Sequence, residues 1–382
     1  MRFRQAALAL ALFAAGAQAE IQPEALNQVV TLPSDYPPHW IFAHDAAFFH
    51  MTNGRYVLLD PTAETGPAQY LGMVDAGLIA AFAQSPSRGE FYVAETYYSR
   101  GTRGERLDVV TIYDVATLAP KGEVALPKEQ VRMVAMPEKY GATIVADKFL
   151  VVSNMSPATG VSIVDLDTRE VVESTLLPGC ILNFPTGERG FTGICVDGSL
   201  KTFALDAQGK ISKTTPTDAF FNPQTDPFFE KPAIVDGKGY FIAFDGRVQE
   251  VDLSGEAAVL GEAWHLLDDE AKGKKYRPGG WQLHGTDDSG LLYILMHENG
   301  GEGTHKNGGN ELWVYDLQKR ERVAQMALKN HGISVTVTHG DAPYVVITTA
   351  DLQLDVYHNR EFVRRLEPFG QETPFVVHAN AF

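Results

Sequence analysis

The stretch Glu95-Thr-Tyr-Tyr-Ser-Arg-Gly-Thr-Arg-Gly-Glu-Arg-Leu-Asp-Val-Val-Thr-Ile-Tyr-Asp114 reads as a strand ending near Tyr97, a basic glycine-rich loop, and a second strand from Leu107 to Tyr113 that closes on an acid. β-Branched and aromatic residues suit a pleated, half-buried surface. The closing strand recurs along the chain. It appears as Tyr56-Val-Leu-Leu-Asp60, Val110-Thr-Ile-Tyr-Asp114, Val161-Ser-Ile-Val-Asp165 and Lys201-Thr-Phe-Ala-Leu-Asp206. Val248-Gln-Glu-Val-Asp252, Leu312-Trp-Val-Tyr-Asp316 and Leu354-Asp-Val-Tyr-His358 complete the set.

Seven repeats at a spacing of roughly 40 to 65 residues predict four-stranded propeller blades. The expected fold is therefore all-β, a single seven-bladed β-propeller over residues 20–382. A parallel α/β fold needs amphipathic helices of about 10 residues or more between strands, and the chain has none. Its one helix-like insert is Gly261 to Tyr276, where Trp264, Leu266, Leu267 and Ala271 make a rough apolar face. Ring closure calls for pairing the two ends of the chain, and Ile41-Phe-Ala-His44 and Pro374-Phe-Val-Val-His378 are the candidates.

The first 19 residues do not belong to that ring. Arg2 and Arg4 precede an apolar run, Ala6 to Ala15, and Ala17-Gln18-Ala19 offers a small-x-small cleavage site. The run is about half of the roughly 20 residues a spanning helix needs. It is expected to be a cleaved secretory leader, which places the mature protein in the periplasm with no membrane insertion. Cleavage removes two arginines and no acids, taking the formal charge from −16 to −18. So acidic a chain lacks the electrostatic footprint of a nucleic-acid binder. The only two cysteines, Cys180 and Cys195, flank a strand-turn-strand segment and are expected to form a disulfide in that oxidising compartment.

Few residues announce chemistry. His284, His297 and His305 lie close in sequence with Glu298 and Glu302, ligand types that suit a transition metal. No HExxH or comparable tight spacing accompanies them, so they are expected to be hydrogen-bonding loop residues. Gly300-Gly-Glu-Gly303 sits in a β-rich loop rather than before a helix, which argues against a phosphate site. Arg100, Arg103 and Arg106 are expected to pair with nearby acids or with a partner. No nucleophile motif is present. The expectation is an exported scaffold or binding subunit with no catalytic residue, cofactor or metal of its own.

Several stretches go further. Residues 95–110, Arg277-Pro-Gly-Gly-Trp281, the segment His297 to Lys306, Asn154-Met-Ser-Pro-Ala-Thr159, the cysteine pair and Asp197-Gly-Ser-Leu200 together resemble the large subunit of the quinoprotein amine dehydrogenases. Within that family, the Gly-Glu-Gly-Thr-His-Lys and Ser-Pro-Ala-Thr segments look closer to aromatic amine dehydrogenase than to methylamine dehydrogenase. The resemblance implies a heterotetramer of two large and two small subunits. It also implies tryptophan tryptophylquinone on the small subunit, and a cupredoxin such as azurin or amicyanin as electron acceptor. Trp40, Trp264, Trp281 and Trp313 are then core or interface aromatics, not cofactor precursors. Where the family usually has phenylalanine at the substrate-channel mouth, after Gly72-Met-Val-Asp-Ala-Gly77, this chain has Leu78.

Overall fold

All seven repeats form strands in the computed structural model, which describes residues 31–369 and 374–382. The expected leader, residues 1–19, lies outside them. The closing acids share one task. Asp60, Asp114, Asp165, Asp206, Asp252 and Asp316 each accept a backbone N–H from the residue two positions on, at 2.8–3.1 Å. That Asx turn ends one strand and starts the chain back toward the next.

The second repeat shows the pattern. Strands Ala81–Ser85, Glu90–Tyr98, Arg106–Asp114 and Pro120–Ala125 pair in chain order, all antiparallel. Phe91, Tyr92, Val93 and Ala94 are all fully buried. Each sheet is covered on both faces by its neighbours, so its central strands read as continuous apolar runs rather than alternating ones.

The expectation of seven separate blades is corrected. Five sheets of four or five strands stand as separate blades; the remaining strands, between residues 277 and 365, form one continuous eight-stranded sheet. The cause is strand Glu321–Val337, which runs 17 residues without a break. Its first half pairs with Gly309–Asp316 and its second half with Tyr344–Thr349, so two repeats share one sheet. Gly332 makes the through-passage possible, because a Cβ there would lie 2.8 Å from Ile347 Cγ2 and 2.9 Å from Leu295 Cδ2. The two halves of the wide sheet still pack on one another through Leu295, Leu312, Val335 and Ile347.

Successive sheets share cores around the whole ring, which ends where the wide sheet's Val346 and Val356 meet Ile41 and Val57 of the first. Strand Ile41–Asp45 pairs antiparallel with the C-terminal strand Val376–Ala379, in the register Ile41↔Ala379. The chain ends therefore meet in one blade, and residues 32–382 form one compact unit. Among the described residues, no helix is long and apolar enough to cross a membrane. The insert expected to be helical is helical only in part. Val259–His265 pairs as an outer strand, and only Asp269–Gly273 is helical, capped by Asp268, which accepts Ala271 N–H at 2.8 Å.

Cys180 and Cys195 face one another across strands Cys180–Thr186 and Gly190–Cys195 and are joined by a disulfide. Closing a loop of 15 residues stabilises a fold by at most about 3 kcal/mol through the unfolded chain. Replacing both cysteines by serine is expected to lower the unfolding free energy by roughly 2–3 kcal/mol in urea titrations. An unchanged midpoint would mean that the hairpin holds itself.

Candidate functional site

Loops from several sheets converge at one mouth of the ring. The first is the turn before strand Ala81–Ser85. Gly77 N–H donates to Glu95 Oε2 at 2.6 Å, and Leu78 N–H to Thr96 O at 2.9 Å. Ile79 adopts φ +42°, a left-handed conformation that a β-branched residue rarely takes. Arg132, 2% exposed, holds that strained turn from beneath. Its guanidinium donates to Leu78 O at 2.8 Å, to Ile79 O at 3.0 Å and to Thr96 Oγ1 at 2.8 Å. Strain held by a buried network marks a position that the fold spends stability to define. Leu78 itself is half-buried on that turn.

The opening stretch supplies most of that network. Glu95 is fully buried and accepts from Gly77 and from Thr111. Burial raises its carboxyl above the ordinary range against those hydrogen bonds. Asp108 accepts Arg132 N–H at 3.1 Å and pairs with Arg106 at 3.0 Å. Of the three loop arginines, only Arg106 is drawn inward; Arg100 and Arg103 are exposed.

Trp281 is the hub of the mouth. Its indole N–H donates to Pro137 O at 2.9 Å, and its ring lies 6.1 Å from that of Phe375. Phe375 contacts Phe48 at 5.8 Å and Phe49 at 6.2 Å. Phe49 is 66% exposed, and neighbouring Met51 is 45% exposed. The other side of the Trp281 ring carries the Lys231 ammonium at 4.0 Å. Lys231 also pairs with Glu230 and, at 3.4 Å, with Glu138. Burial pushes the Glu138 carboxyl up to about 7 although Lys231 pulls it down, and the Glu230 charge adds to the rise. An exposed apolar cluster beside a buried charged group is the anatomy of an interface core with polar surroundings.

The histidines are not brought together. His284 is buried with Nε2 2.7 Å from Lys231 O, and His297 Nε2 lies 2.9 Å from Thr304 Oγ1. His305 lines a surface cleft with Glu302. Among the described residues, no group of three or more His, Cys, Asp or Glu side chains is arranged to hold a metal. Three tryptophans pack inward, Trp40 against Tyr36, Trp264 against Tyr315 and Trp313 against Tyr276. Trp281 is the one at the mouth. Sequence reasoning missed Phe48, Phe49, Phe375, Arg132, Glu138 and Lys231. The doublet Phe48-Phe49 was the available signal, being two large apolar residues in a turn segment without strand alternation.

Comparison with known proteins follows the same geometry. Residues 38–374 match the family model described as methylamine dehydrogenase heavy chain. The chain is 29% identical over 308 residues to the methylamine dehydrogenase heavy chain of Methylophilus methylotrophus, covering 80% of this chain and 74% of that one. It is 26% identical over 340 residues to the heavy chain of Paracoccus versutus, covering 87% and 77%. Among solved structures, the dihydro-heme d1 dehydrogenase NirN superposes with a TM-score of 0.54 at 14% identity, covering 92% of this chain and 69% of that one. The Swd1 propeller domain of Myceliophteria thermophila gives 0.53 at 10% identity, covering 86% and 95%. Those two likenesses speak for the propeller fold alone.

Proposed function

Because the chain belongs to the methylamine dehydrogenase heavy-chain family, we propose that it is the large, cofactor-free subunit of a periplasmic quinoprotein amine dehydrogenase. In this reading it seats a small subunit and lines the path by which a primary amine reaches that subunit. The small subunit carries tryptophan tryptophylquinone and the catalytic aspartate, and the complex holds two chains of each kind. Amines are oxidised to aldehyde and ammonia, and the electrons leave to a cupredoxin such as azurin or amicyanin. Our reading favours aromatic amines, on the strength of the loop sequence Gly301-Glu-Gly-Thr-His-Lys306 and the Ser-Pro-Ala-Thr segment. Methylamine is the second reading, favoured by the names of the relatives.

The observation that carries the proposal is the apolar patch at the ring mouth, where exposed Phe49 and Met51 adjoin half-buried Phe375 and Trp281. Burying such a cluster against a partner removes apolar surface from water at about 25 cal/mol per Å². The test is purification of the chain from periplasm with its partners, followed by a visible spectrum and an amine panel. A small exported partner with a quinone band, together with amine-dependent dye reduction, is the expected result. A chain that purifies alone and colourless from cells oxidising the amine would sink the proposal.

Leu78 gives the finer test. The turn that presents it is held by Arg132 and Glu95 whatever side chain it carries, so Leu78→Phe should leave stability within about 1 kcal/mol. A ring in place of an isobutyl group at a channel mouth is expected to shift the kcat/KM ratio between phenylethylamine and methylamine by about tenfold. An identical amine profile in the reconstituted complex would remove Leu78 from the substrate path.

A further inference from the structure

The loop containing Gly301 and His305 lines a cleft of about 600 Å³. The cleft runs into a smaller apolar pocket of about 280 Å³, and Pro227, Phe244 and His305 line both. The Leu78 turn lines neither space and belongs to a different sheet. The combined size falls in the range of small-ligand sites. Its walls are of two kinds. Phe228, Phe229 and Phe244 line one side, with Phe244 5.8 Å from His305 and 6.3 Å from Phe229. Carboxylates line the other, and Arg277 is the single Arg or Lys among the described residues that line either space.

The same wall already holds one organic cation. The Arg247 guanidinium lies 4.6 Å above the Phe228 ring while pairing with Asp226. Aromatic face and carboxylate act on it together, the combination that recognises alkylammonium and guanidinium groups. Asp226 and Glu230 are thereby occupied, Glu230 by Lys231. Asp245 anchors the Arg247 backbone at 2.9 Å through one oxygen, and its other oxygen is 3.9 Å from His265. Glu302 has no ion-pair or hydrogen-bond partner among the described residues. It lines the larger cleft together with Asp245 and Phe244.

We propose that this cleft binds an organic ammonium ion with an aromatic or alkyl body, the body entering the pocket beside Phe244 and the ammonium lying between Asp245 and Glu302. A neutral or anionic molecule of the same shape gains the apolar contact but not the ion pair, and the acidic rim disfavours an anion. The inference goes beyond the amine dehydrogenase reading and does not depend on it. Binding to the large chain alone, with no turnover, tests it.

The experiment is calorimetric titration of the purified full chain with 2-phenylethylammonium chloride, alongside phenylpropionate as the anionic counterpart. Saturable binding of the ammonium that weakens with salt, and none of the anion at the same concentration, is expected. Phe244→Ala and the double change Asp245→Asn with Glu302→Gln should each weaken binding about fivefold or more. All these side chains are at the surface of the cleft, and unchanged thermal unfolding would show that the variants are folded. Leu78→Phe, in another sheet, should bind as the parent does. Absence of saturable binding, equal binding of the anion, or full binding by the folded variants overturns the proposal.

Discussion

Lowering the pH from 6.5 to 4 is expected to remove most of the stability of this protein, because three buried histidines must stay neutral in the fold. His44 stacks on Tyr56 at 4.3 Å, and its Nε2 is buried without a hydrogen-bond partner. Burial, and then the nearby Arg132 charge, lower it to about 3. His378 lies 4.9 Å from Phe82 and is lowered to about 3 by burial, with Lys139 and His44 adding to the effect. His284, against Lys231 O, is lowered to about 4, chiefly by burial. All three native values lie below the ordinary 6.5, so the unfolded chain takes up protons that the native state refuses. Their stabilisation is complete above pH 6.5 and is lost as the pH falls toward 4. At about 1.4 kcal/mol per unit and group, the combined loss by pH 4 is on the order of 5–10 kcal/mol, comparable with a whole domain's stability. Glu138 works the other way. Its native value of about 7 lies above the usual 4.5, so its contribution fades as the pH rises through that interval. Urea midpoints at pH 7, 6, 5 and 4.5 should fall steeply, and His284→Gln should flatten the slope. A midpoint independent of pH would refute the assignment of neutral buried imidazoles.

Arg132→Leu is expected to cost about 3–5 kcal/mol, the usual range for removing one partner of a buried charge cluster. The change leaves the Leu78 and Ile79 carbonyls without their donor and removes a buried positive charge from beside Asp108, which keeps the backbone N–H of residue 132, the Thr96 hydroxyl and Arg106. Burial already pulls the Arg132 guanidinium down to about 10 despite the opposing pull of Asp108, a measure of how far it is desolvated. Arg132→Lys keeps the charge but loses the planar fork that reaches three carbonyls, of Leu78, Ile79 and Met133, and Thr96 at once, so it should recover only part of the loss. The amine profile adds a second readout. Arg132→Lys loosens the backbone anchor of the Leu78 turn, so selectivity is expected to shift in this variant as well as in Leu78→Phe. Denaturation within 1 kcal/mol of the parent would show that water replaces the guanidinium at no cost.

Much of this was legible one residue at a time. The Asp that closes each strand acts on a backbone N–H two residues away, and such local bonds leave a mark in sequence that needs no knowledge of the fold. Cys180 and Cys195 were likewise readable from their flanking strands. Leu78 was singled out by resemblance, but nothing in residues 72–78 disclosed the strained Ile79 turn or the arginine 54 positions away that holds it. Glu95, Thr96 and Asp108 sat within the stretch that decided the fold. Their apolar-strand setting concealed that they form a buried polar network.

The β class, the recurrence of the repeats and their turns were determined by the sequence itself, because periodicity and side-chain-to-backbone bonds act within a few residues. Two matters belonged to tertiary structure. One is the merging of two repeats into an eight-stranded sheet, which depends on Gly332 passing where no side chain fits between Ile347 and Leu295. The other is the mouth itself. Phe49, Glu138, Lys231, Trp281 and Phe375 come from five separate connections, and only closure of the ring brings them within contact of one another. No window along the chain contains more than one of them, so no local reading assembles them.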